Sequence, residues 1–426
     1  MSQAEPIRYL ARWILPVTSP PVEYGWVDVE DGLITGVGGK PAAPARPRLR
    51  EVDLGRVAVL PGLVNAHTHL ELSMHRGTVP PAESMPAWAR ALMRRTAADS
   101  ERVRTEHIAS AVAEMRRAGT ALVGDVGNTL ASLPALDAGP VDGVLFHEML
   151  GFDVAPDEAE VLVGRLRDRV GGRRDERVRL RGAAHAPYSV SAALFRALVA
   201  GVPGPRSVHL AESREECEFL RDGGGVWRQI LEARGRWVPG WEPPGTGPVD
   251  YLDALGWLRG DTLAVHGVQL TASGISRLAE AGATIVTCPR SNRWTGAGPP
   301  PVPDFYASGA RIAVGTDSLT SVPDLNLFGE LAELRRLAPD VPASLLLRSA
   351  TVAGASALGR GRTHGAVEPG RRAALIAVDI SGAGADVEEY LLNGVRPEQI
   401  TWLDDSAAAR DPGTAGRAHG QQASGH

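Results

Sequence analysis

His67 and His69 stand two residues apart at the end of an apolar, strand-like stretch over residues 57–65. In an extended chain, residues two apart point to the same side, so the two imidazoles would converge. Imidazole nitrogens are ligands for zinc and other transition metals. Because such a pair is more often a polar strand end than a metal site, further ligands are required elsewhere in the chain.

Polar residues also stand at the ends of later apolar segments. A single histidine in a folded domain is more often a hydrogen-bonded core or surface residue than a ligand. A whole set at the same end of several strands makes separate structural roles improbable, and it indicates one shared site. The later members of the set are His185, His209, Glu212, His266 and Asp317.

The segments that carry these residues alternate with amphipathic, helix-like stretches. Eight such strands predict an α/β fold, a (β/α)8 TIM-like barrel, in which catalytic groups lie at the carboxyl ends of the strands. A doubly wound sheet is the alternative on this count. The predicted strands are 57–65, 121–127, 143–150, 180–186, 207–211, 263–268, 284–288 and 312–316, and the predicted helices include 84–96, 214–233 and 343–358.

Each end of the chain carries short strand-like segments that are joined by turns and not by helices. The N-terminal strands are too short to bury a core alone. We therefore predict a small flanking β-sandwich domain from residues 1–59 and 361–403, beside a barrel of residues 60–360. Residues 404–426 are poor in large apolar side chains and are predicted to be disordered.

Composition excludes several classes of protein. The chain has 426 residues, 43% of them hydrophobic, and a formal net charge of -5, which argues against a nucleic-acid partner. Two cysteines cannot build a disulfide framework, and no apolar run approaches the roughly 20 residues of a membrane span. These features predict a cytoplasmic protein with a small-molecule substrate, no membrane partner, and homo-oligomerisation as an open possibility.

The ordered motifs resemble the amidohydrolase superfamily, in particular its cytosine-deaminase-like branch of mononuclear metal aminohydrolases. The resemblance covers residues 7–380, including the flanking β module. Its motifs follow strand one and strands five to eight: PGLVNAHTH at 61–69, HLAES at 209–213, HG at 266–267, CPRSN at 288–292 and GTDS at 315–318. The resemblance implies one divalent transition metal per chain, Zn²⁺ with Fe²⁺ as the alternative, bound by His67, His69, His209 and Asp317.

The resemblance also implies catalytic roles for three residues. Asp317 would bind the metal and accept a proton from water, and His266 would position that water. Glu212 resembles the proton shuttle of the family: it would protonate a ring nitrogen while hydroxide attacks the amine-bearing carbon, and then help ammonia to leave. Ser291 and Asn292 are expected to shape the rim of the metal pocket or to hold the loop after the seventh strand.

The lysine count separates two kinds of metal site. Dinuclear members of the superfamily commonly bridge their metals with a carboxylated lysine after strand four. Here that strand end carries His185, and Lys40, the only lysine, lies in the N-terminal module. A lysine-bridged dinuclear site is thereby excluded, and mononuclear deamination is favoured.

The substrate is inferred from the segments beside the metal motifs. His185 resembles a base-contacting histidine of adenosine-type deaminases, and HLELS at 69–73 resembles the aminodeoxyfutalosine deaminases of the futalosine route to menaquinone. Glu71 is then a substrate-binding candidate, with a solvated loop carboxylate as the alternative, and Arg94 and Arg95 are candidates for a substrate carboxylate. Open alternatives are deamination of adenosine, S-adenosylhomocysteine, methylthioadenosine or another heterocycle, ring-amide hydrolysis of the imidazolonepropionase kind, and a non-enzymatic scaffold, which the complete residue set disfavours.

Overall fold

The computed structural model describes residues 5–39, 49–96, 101–173, 177–382 and 386–403. The residues predicted to form a disordered tail, 404–426, and Lys40 lie outside this part of the chain. Within it the backbone forms two sheets, one of eight strands and one of seven. None of the helices described is long and apolar enough to cross a membrane.

The strands are short and are numbered in chain order. They are β1 (Ile7–Ile14), β2 (Val22–Glu30), β3 (Leu33–Gly38), β4 (Arg50–Asp53), β5 (Val57–Pro61), β6 (Leu63–Thr68), β7 (Thr120–Gly127), β8 (Asp142–Met149), β9 (Val178–Ala184), β10 (Arg206–Leu210), β11 (Thr262–His266), β12 (Thr284–Thr287), β13 (Arg311–Val314), β14 (Leu375–Asp379) and β15 (Ile400–Trp402).

The helices lie mainly between the barrel strands, with 3-10 helices at Leu70–His75 and Pro397–Gln399. They are α1 (Met85–Arg95), α2 (Glu101–Arg117), α3 (Leu133–Ala138), α4 (Pro156–Gly172), α5 (Ala192–Gly201), α6 (Arg214–Asp222), α7 (Gly225–Ala233), α8 (Pro248–Ala254), α9 (Ala272–Glu280), α10 (Pro289–Thr295), α11 (Val302–Ala307), α12 (Leu327–Leu337), α13 (Ala343–Ser349), α14 (Val352–Ala357) and α15 (Val387–Leu391).

The eight-stranded sheet is the predicted barrel. Its strands β6 to β13 follow one another in order and pair in parallel. The first and last strands meet beyond β13, where the Asp317 N–H donates to the His67 carbonyl at 3.0 Å and the Thr316 N–H donates to Asn65 Oδ1 at 3.1 Å. The (β/α)8 fold is confirmed, and its closing contacts involve two of the predicted metal ligands.

The seven-stranded sheet is built from both ends of the chain. Its order is β15-β14-β5-β1-β2-β3, with β4 paired to β1. The two chain ends meet where β14 pairs antiparallel with β5, with Ile376 opposite Leu60. This separate sheet confirms the flanking part of the predicted fold, and its division from the barrel at fixed residue numbers stays a prediction.

The single strand predicted over residues 57–65 is wrong, because it is two strands in two different sheets. β5 belongs to the flanking sheet and β6 to the barrel. The chain changes sheets at Gly62, where a Cβ atom would lie 2.6 Å from Ala121 Cβ and 2.7 Å from the Trp402 ring. Only glycine fits this crossing, and the apolar sequence on either side gives no sign of the break.

Two predicted helices are also divided. Residues 214–233 form α6 and α7, because Gly223 ends α6 in the left-handed region with φ 70°. Residues 343–358 form α13 and α14, separated at Thr351, whose φ of -138° is not helical. In both cases the apolar periodicity of the sequence continues across the break, which is why each pair of helices was predicted as a single helix.

The barrel interior is filled by apolar side chains that several of its strands direct inward, as the fold requires. Val64, Leu122, Val144, Phe146 and Val265 are all at most 1% exposed. Burying each such side chain contributes about 1.5–3 kcal/mol. This close-packed layer gives the strand ends above it fixed positions.

Candidate active site and metal centre

The residues singled out from the sequence come together at the carboxyl end of the barrel. Three of them lie near the carboxyl ends of strands, and four follow a strand by one to three residues. Neighbouring strands therefore deliver the whole set to one edge. The first three are His67 in β6, His209 in β10 and His266 in β11, and the others are His69, His185, Glu212 and Asp317.

Three ring nitrogens and one carboxylate oxygen lie at ligand spacing. His69 Nε2 is 3.3 Å from His209 Nε2. Asp317 Oδ1 is 3.8 Å from His67 Nε2 and 3.6 Å from His69 Nε2. Nitrogen and oxygen ligands at about 2.0–2.2 Å from a tetrahedral zinc are themselves about 3.3–3.6 Å apart. His67, His69 and Asp317 form one group of close ligand atoms, and His209 lies beside it through His69, at spacings near those of ligands that share one ion.

The state of His67 supports the same conclusion. Its side chain is fully buried, and neither ring nitrogen has a hydrogen-bond partner in the described structure. Burial lowers the pKa of His67 and of His209 well below the usual range, so both imidazoles are neutral and keep a lone pair. Two orphaned nitrogens in a core are uncommon. This donor set fits Zn²⁺ or Fe²⁺.

The backbone at these strand ends is strained. Ala211, His266 and Asp317 have φ values of 50°, 75° and 60°, in the left-handed region that non-glycine residues rarely adopt. Gly315 lets β13 approach β6, because a Cβ there would lie 2.6 Å from the His67 carbonyl oxygen. These conformations turn the side chains of His266 and Asp317 into the common site.

Ser291 and Asn292, at the start of α10, hold two of the predicted catalytic side chains. Ser291 Oγ donates to Asp317 Oδ2 at 2.5 Å, which leaves Oδ1 to face the histidines. Asn292 Oδ1 lies 2.9 Å from His266 Nδ1, which leaves Nε2 to face Glu212. The structure gives each residue a specific partner, and their role at a metal pocket stays a prediction.

Glu212 lies beside His266 in the same buried space. Its Oε1 is 3.6 Å from His266 Nε2, and the residue is 4% exposed. Burial and, secondly, the charge of Asp317 raise the pKa of Glu212 to about 8. The loop that carries it is fixed by Glu216, which accepts hydrogen bonds from the backbone N–H groups of Ala211 and Glu212. Glu212 is thus a carboxylic acid able to donate a proton near neutral pH.

The two predicted substrate residues differ in their surroundings. His185 Nδ1 lies 2.6 Å from Ser189 Oγ, and the residue lines the same cavity as His69, His209 and Asp317. Glu71 is neither solvated nor free: its carboxylate accepts hydrogen bonds from the backbone of Asn128, Thr129 and Ala131. It therefore holds the loop after β7, while its contact with a substrate stays a prediction.

Glu148 was missed in the sequence because it lies in an apolar strand, β8, one residue before its end. Its Oε1 is buried without a hydrogen-bond partner and lies 3.6 Å from His209 Nδ1. Asn128 Nδ2 donates to its Oε2 at 2.9 Å. With His185 and His209 it forms a second group of close ligand atoms. The signal available was a charged residue at the end of a predicted barrel strand.

Two adjoining cavities open from the site. The first, which we call the inner chamber, has a volume of about 310 Å³. It is bordered by four of the site residues, His69, His209, His266 and Asp317, and by the carboxylates Glu71, Glu148 and Glu212. The second, the outer chamber, has a volume of about 460 Å³ and mainly apolar walls. Both are lined by Met85, Trp88, Leu92, Met93, Leu150, His185 and Arg234.

Arg94 and Arg95, the sequence candidates for a substrate carboxylate, do not line either chamber. The chamber face of α1 is formed by Met85, Trp88 and Leu92, at helical spacing. Arg94 and Arg95 project from α1 on an exposed face. The arginine that borders both chambers is Arg234, directly after α7.

Comparison with known proteins gives a consistent result. The model of the amidohydrolase family matches residues 58–401. The chain is 35% identical over 342 residues to an aminodeoxyfutalosine deaminase of Deinococcus radiodurans, covering 74% of this chain and 77% of the relative. It is 31% identical over 393 residues to a 5-methylthioadenosine/S-adenosylhomocysteine deaminase of Syntrophobacter fumaroxidans, covering 83% and 80%.

A solved structure agrees with the fold. The crystal structure of an adenosine deaminase from Xanthomonas campestris with bound zinc superimposes with a TM-score of 0.77 at 28% identity, covering 93% of this chain and 90% of that one. The relatives are thus deaminases that differ in their substrates.

Proposed function

Since the chain belongs to the amidohydrolase family, hydrolases that act on carbon–nitrogen bonds, we propose that it is a metal-dependent deaminase of an aminated purine nucleoside. Its best substrate is 6-aminodeoxyfutalosine, an intermediate of the futalosine route to menaquinone. The observation that carries the reaction class is the convergence of His67, His69, His209 and Asp317 beside the protonated carboxyl of Glu212.

His67, His69, His209 and Asp317 would hold one divalent transition metal, with zinc favoured by the zinc-bound relative. A metal at such a site lowers the pKa of water towards about 7 and supplies hydroxide at neutral pH. Asp317 Oδ1 is positioned to take the proton of that water. Ser291 holds the other oxygen of Asp317, so the carboxylate keeps one orientation during the transfer.

Glu212 is the acid of the proposed reaction. Its raised pKa keeps a proton that it donates to a ring nitrogen of the base, which makes the amine-bearing carbon a better electrophile. His266 is held by Asn292 and faces Glu212. It also lies beside His67 and His209, where it would orient the attacking water. His185 lies across the inner chamber and would contact the base. The proton taken by Asp317 would then pass to the departing amine, which leaves as ammonia, and Glu212 would regain its proton from the new hydroxyl group as the carbonyl forms.

The choice of nucleoside rests on two observations. The relative from Deinococcus radiodurans carries the aminodeoxyfutalosine name at 35% identity. The outer chamber gives space for a group beyond the ribose, which adenosine lacks. Deamination of adenosine, S-adenosylhomocysteine or methylthioadenosine is the second candidate, since the Syntrophobacter fumaroxidans relative has that kind of name.

A panel of aminated purine nucleosides assayed for ammonia tests the substrate. We expect the highest kcat/KM on 6-aminodeoxyfutalosine, with a change in purine absorbance. Equal or better turnover of adenosine would contradict this choice while leaving the reaction class intact. Ring opening of an imidazolone without deamination of any purine would assign the chain to ring-amide hydrolysis instead.

Metal analysis tests the mononuclear site. We expect about one ion per chain, lost together with activity on chelation and restored by zinc. A His69→Ala variant should lose the ion, because one of the closely spaced nitrogens is removed. Two ions per chain would contradict the proposal. The group formed by Glu148, His185 and His209 would then be the second position to examine.

A further inference from the structure

Arg290, the second residue of α10, ties this helix to α12 and to the segment before it. Its Nε donates to Glu330 Oε1 at 2.7 Å, and its backbone N–H donates to Glu330 Oε2 at 3.1 Å. Nη1 donates to Asp324 Oδ1 at 2.9 Å, and Nη2 donates to the carbonyls of Asp324 and Asn326 at 3.0 Å and 3.2 Å. One residue thus fixes the start of α10 against residues 324–330.

The contact between Arg290 and α12 is buried and closely fitted. The Glu330 side chain is fully buried, and that of Arg290 is 12% exposed. The guanidinium lies against Gly329, where a Cβ atom would be 2.7 Å from Nη1 and 3.0 Å from Cζ. The backbone of α12 therefore makes room for the guanidinium by having no side chain at this position.

A second ion pair joins the same two helices but is exposed. Arg293, one turn further along α10, donates to Glu333 Oε1 at 2.6 Å through Nη1, and its side chain is 63% exposed. Exposed pairs contribute little because water screens the charges and long side chains lose entropy when they are held in one position. The buried pair of Arg290 and Glu330 is therefore the contact that sets the position of α10.

The two residues after Arg290 reach the active site. Ser291 Oγ donates to Asp317 Oδ2, and Asn292 Oδ1 lies within hydrogen-bond distance of His266 Nδ1. α10 has only seven residues, and its N-cap residue makes no side-chain cap bond in the described structure. Because so short a helix is unstable by itself, its position depends on the tertiary contacts of its first turn. A shift of that turn would move both active-site contacts together.

We propose that Arg290 is a positioning residue of the active site, which acts through the two residues that follow it. Its bonds to α12 fix the first turn of α10, and this turn keeps the Ser291 hydroxyl on Asp317 and the following amide on His266. The proposal rests on the proposed function, in which Asp317 takes the proton of water and His266 orients that water. A displacement of about 1 Å at such groups can lower a rate by about 100-fold.

Gly329→Ala tests the proposal without removing a charge. The added Cβ would displace the guanidinium of Arg290, whereas the helix itself should not be weakened, because alanine is a better helix former than glycine. We expect kcat for deamination to fall about 10-fold with KM little changed, since the reacting groups are displaced and the base-binding surface is not. Gly164→Ala is the matched control, because a Cβ on this glycine of α4 would have Arg167 Nη2, at 4.0 Å, as its nearest neighbour.

A second variant separates positioning from stability. Replacing both Arg290 and Glu330 by methionine removes the buried ion pair without leaving a lone charge, a change that is often neutral or stabilising. We expect this double variant to fold and to hold its metal, and its kcat to fall about 10- to 100-fold. Arg293→Gln, which breaks the exposed pair of the same helices, is the control and should keep the wild-type kcat.

A wild-type kcat in both Gly329→Ala and the folded double variant would overturn the proposal. So would a raised KM at unchanged kcat, because the pair would then act on substrate binding. If the double variant does not fold, Gly329→Ala decides alone, and a wild-type kcat in it overturns the proposal.

Cobalt substitution separates this proposal from the proposed function. If no nucleoside releases ammonia, the reaction class fails, and the visible absorption of the protein loaded with Co²⁺ tests the positioning separately, because this absorption depends on ligand geometry. A spectrum that changes in Gly329→Ala but not in Gly164→Ala would support the role of Arg290, and identical spectra would overturn it. If both Gly329→Ala and the double variant release ammonia at the wild-type rate, the positioning role fails while the deaminase stands.

Discussion

The two ends of the barrel both bury charged and polar groups, but they treat them differently. At the carboxyl end, both nitrogens of His67 and one oxygen of Glu148 lack hydrogen-bond partners. At the amino end, the first residue of β8, Asp142, is surrounded by three arginines and a histidine. Its carboxylate contacts the side chains of Arg177, Arg360, His364 and Arg372.

The backbone repeats this contrast. At the carboxyl end, the left-handed positions are occupied by Ala211, His266 and Asp317, whose side chains make such a conformation costly. At the amino end, they are occupied by glycines such as Gly119 and Gly282, which adopt it freely. The amino end therefore has an unstrained backbone, as suits stability, although Thr120 Oγ1, two side-chain nitrogens of Arg206 and Asp261 Oδ1 are also buried there without hydrogen-bond partners in the described structure. The carboxyl end keeps backbone strain, and its unpaired atoms converge on one site, as suits ligand binding.

The largest expected effect that tests this contrast is on catalysis. Glu212→Gln removes the acid of the site, so turnover should fall about 10²- to 10⁴-fold, the usual contribution of a general acid. Metal content should stay near one ion per chain. Glu218→Gln, an exposed glutamate of the following helix, is the control and should leave ammonia release unchanged. Loss of metal in Glu212→Gln would show that the residue is a ligand.

At the amino end, the expected loss is in the free energy of unfolding. Asp142→Asn leaves the surrounding arginines without their shared carboxylate, which typically costs about 3–5 kcal/mol for a buried pair. Urea denaturation measures the change, and metal content should be unaffected. Asp137→Asn is the control, because its partly exposed pair with Arg173 should contribute about 1 kcal/mol or less. A variant that kept full stability but lost metal would reverse the roles assigned to the two ends.

A smaller effect is expected at Glu148, which belongs to the carboxyl end. His209 Nδ1 bonds to the His185 carbonyl at 2.7 Å, and Glu148 Oε1 lies 3.6 Å from the same nitrogen without a hydrogen bond to it, whereas His209 Nε2 faces His69. Groups hydrogen-bonded to a metal-binding histidine usually change affinity about 10- to 100-fold, and Glu148 acts on His209 only through its charge. Glu148→Gln should therefore weaken zinc binding by at most about 10-fold, as measured by competition with a chelator. Unchanged affinity would leave the buried Oε1 without a role towards the metal.

The smallest effect is expected at Glu71, which lies at the ligand-binding end but is saturated by hydrogen bonds from the loop after β7. Glu71→Gln keeps one acceptor oxygen, so the free energy of unfolding should fall by only about 1–2 kcal/mol. Steady-state kinetics then tests the prediction that Glu71 contacts the substrate. A raised KM at unchanged stability would support direct substrate contact, and lower stability with unchanged KM would leave a structural role.

Some of this molecule could be predicted without coordinates because the relevant signal is local. Alternating strands and helices indicated the barrel, and polar residues at the strand ends indicated one site for His67, His69, His209 and Asp317. Glu148 was missed although it is a charged residue at the end of a predicted barrel strand, because it belongs to none of the recognised motifs. Arg94 and Arg95 were chosen by proximity in sequence, which does not tell which face of α1 lines a cavity.

The sequence by itself determined the ligand types, their order along the chain and the absence of a lysine after strand four, since these are properties of residue identity. Only the tertiary structure decided where the chain crosses between sheets at Gly62 and which oxygen of Asp317 is free. It also decided that Arg234, and not Arg94 or Arg95, lies between the two chambers. These features depend on contacts between residues far apart in sequence, and no local pattern records such contacts.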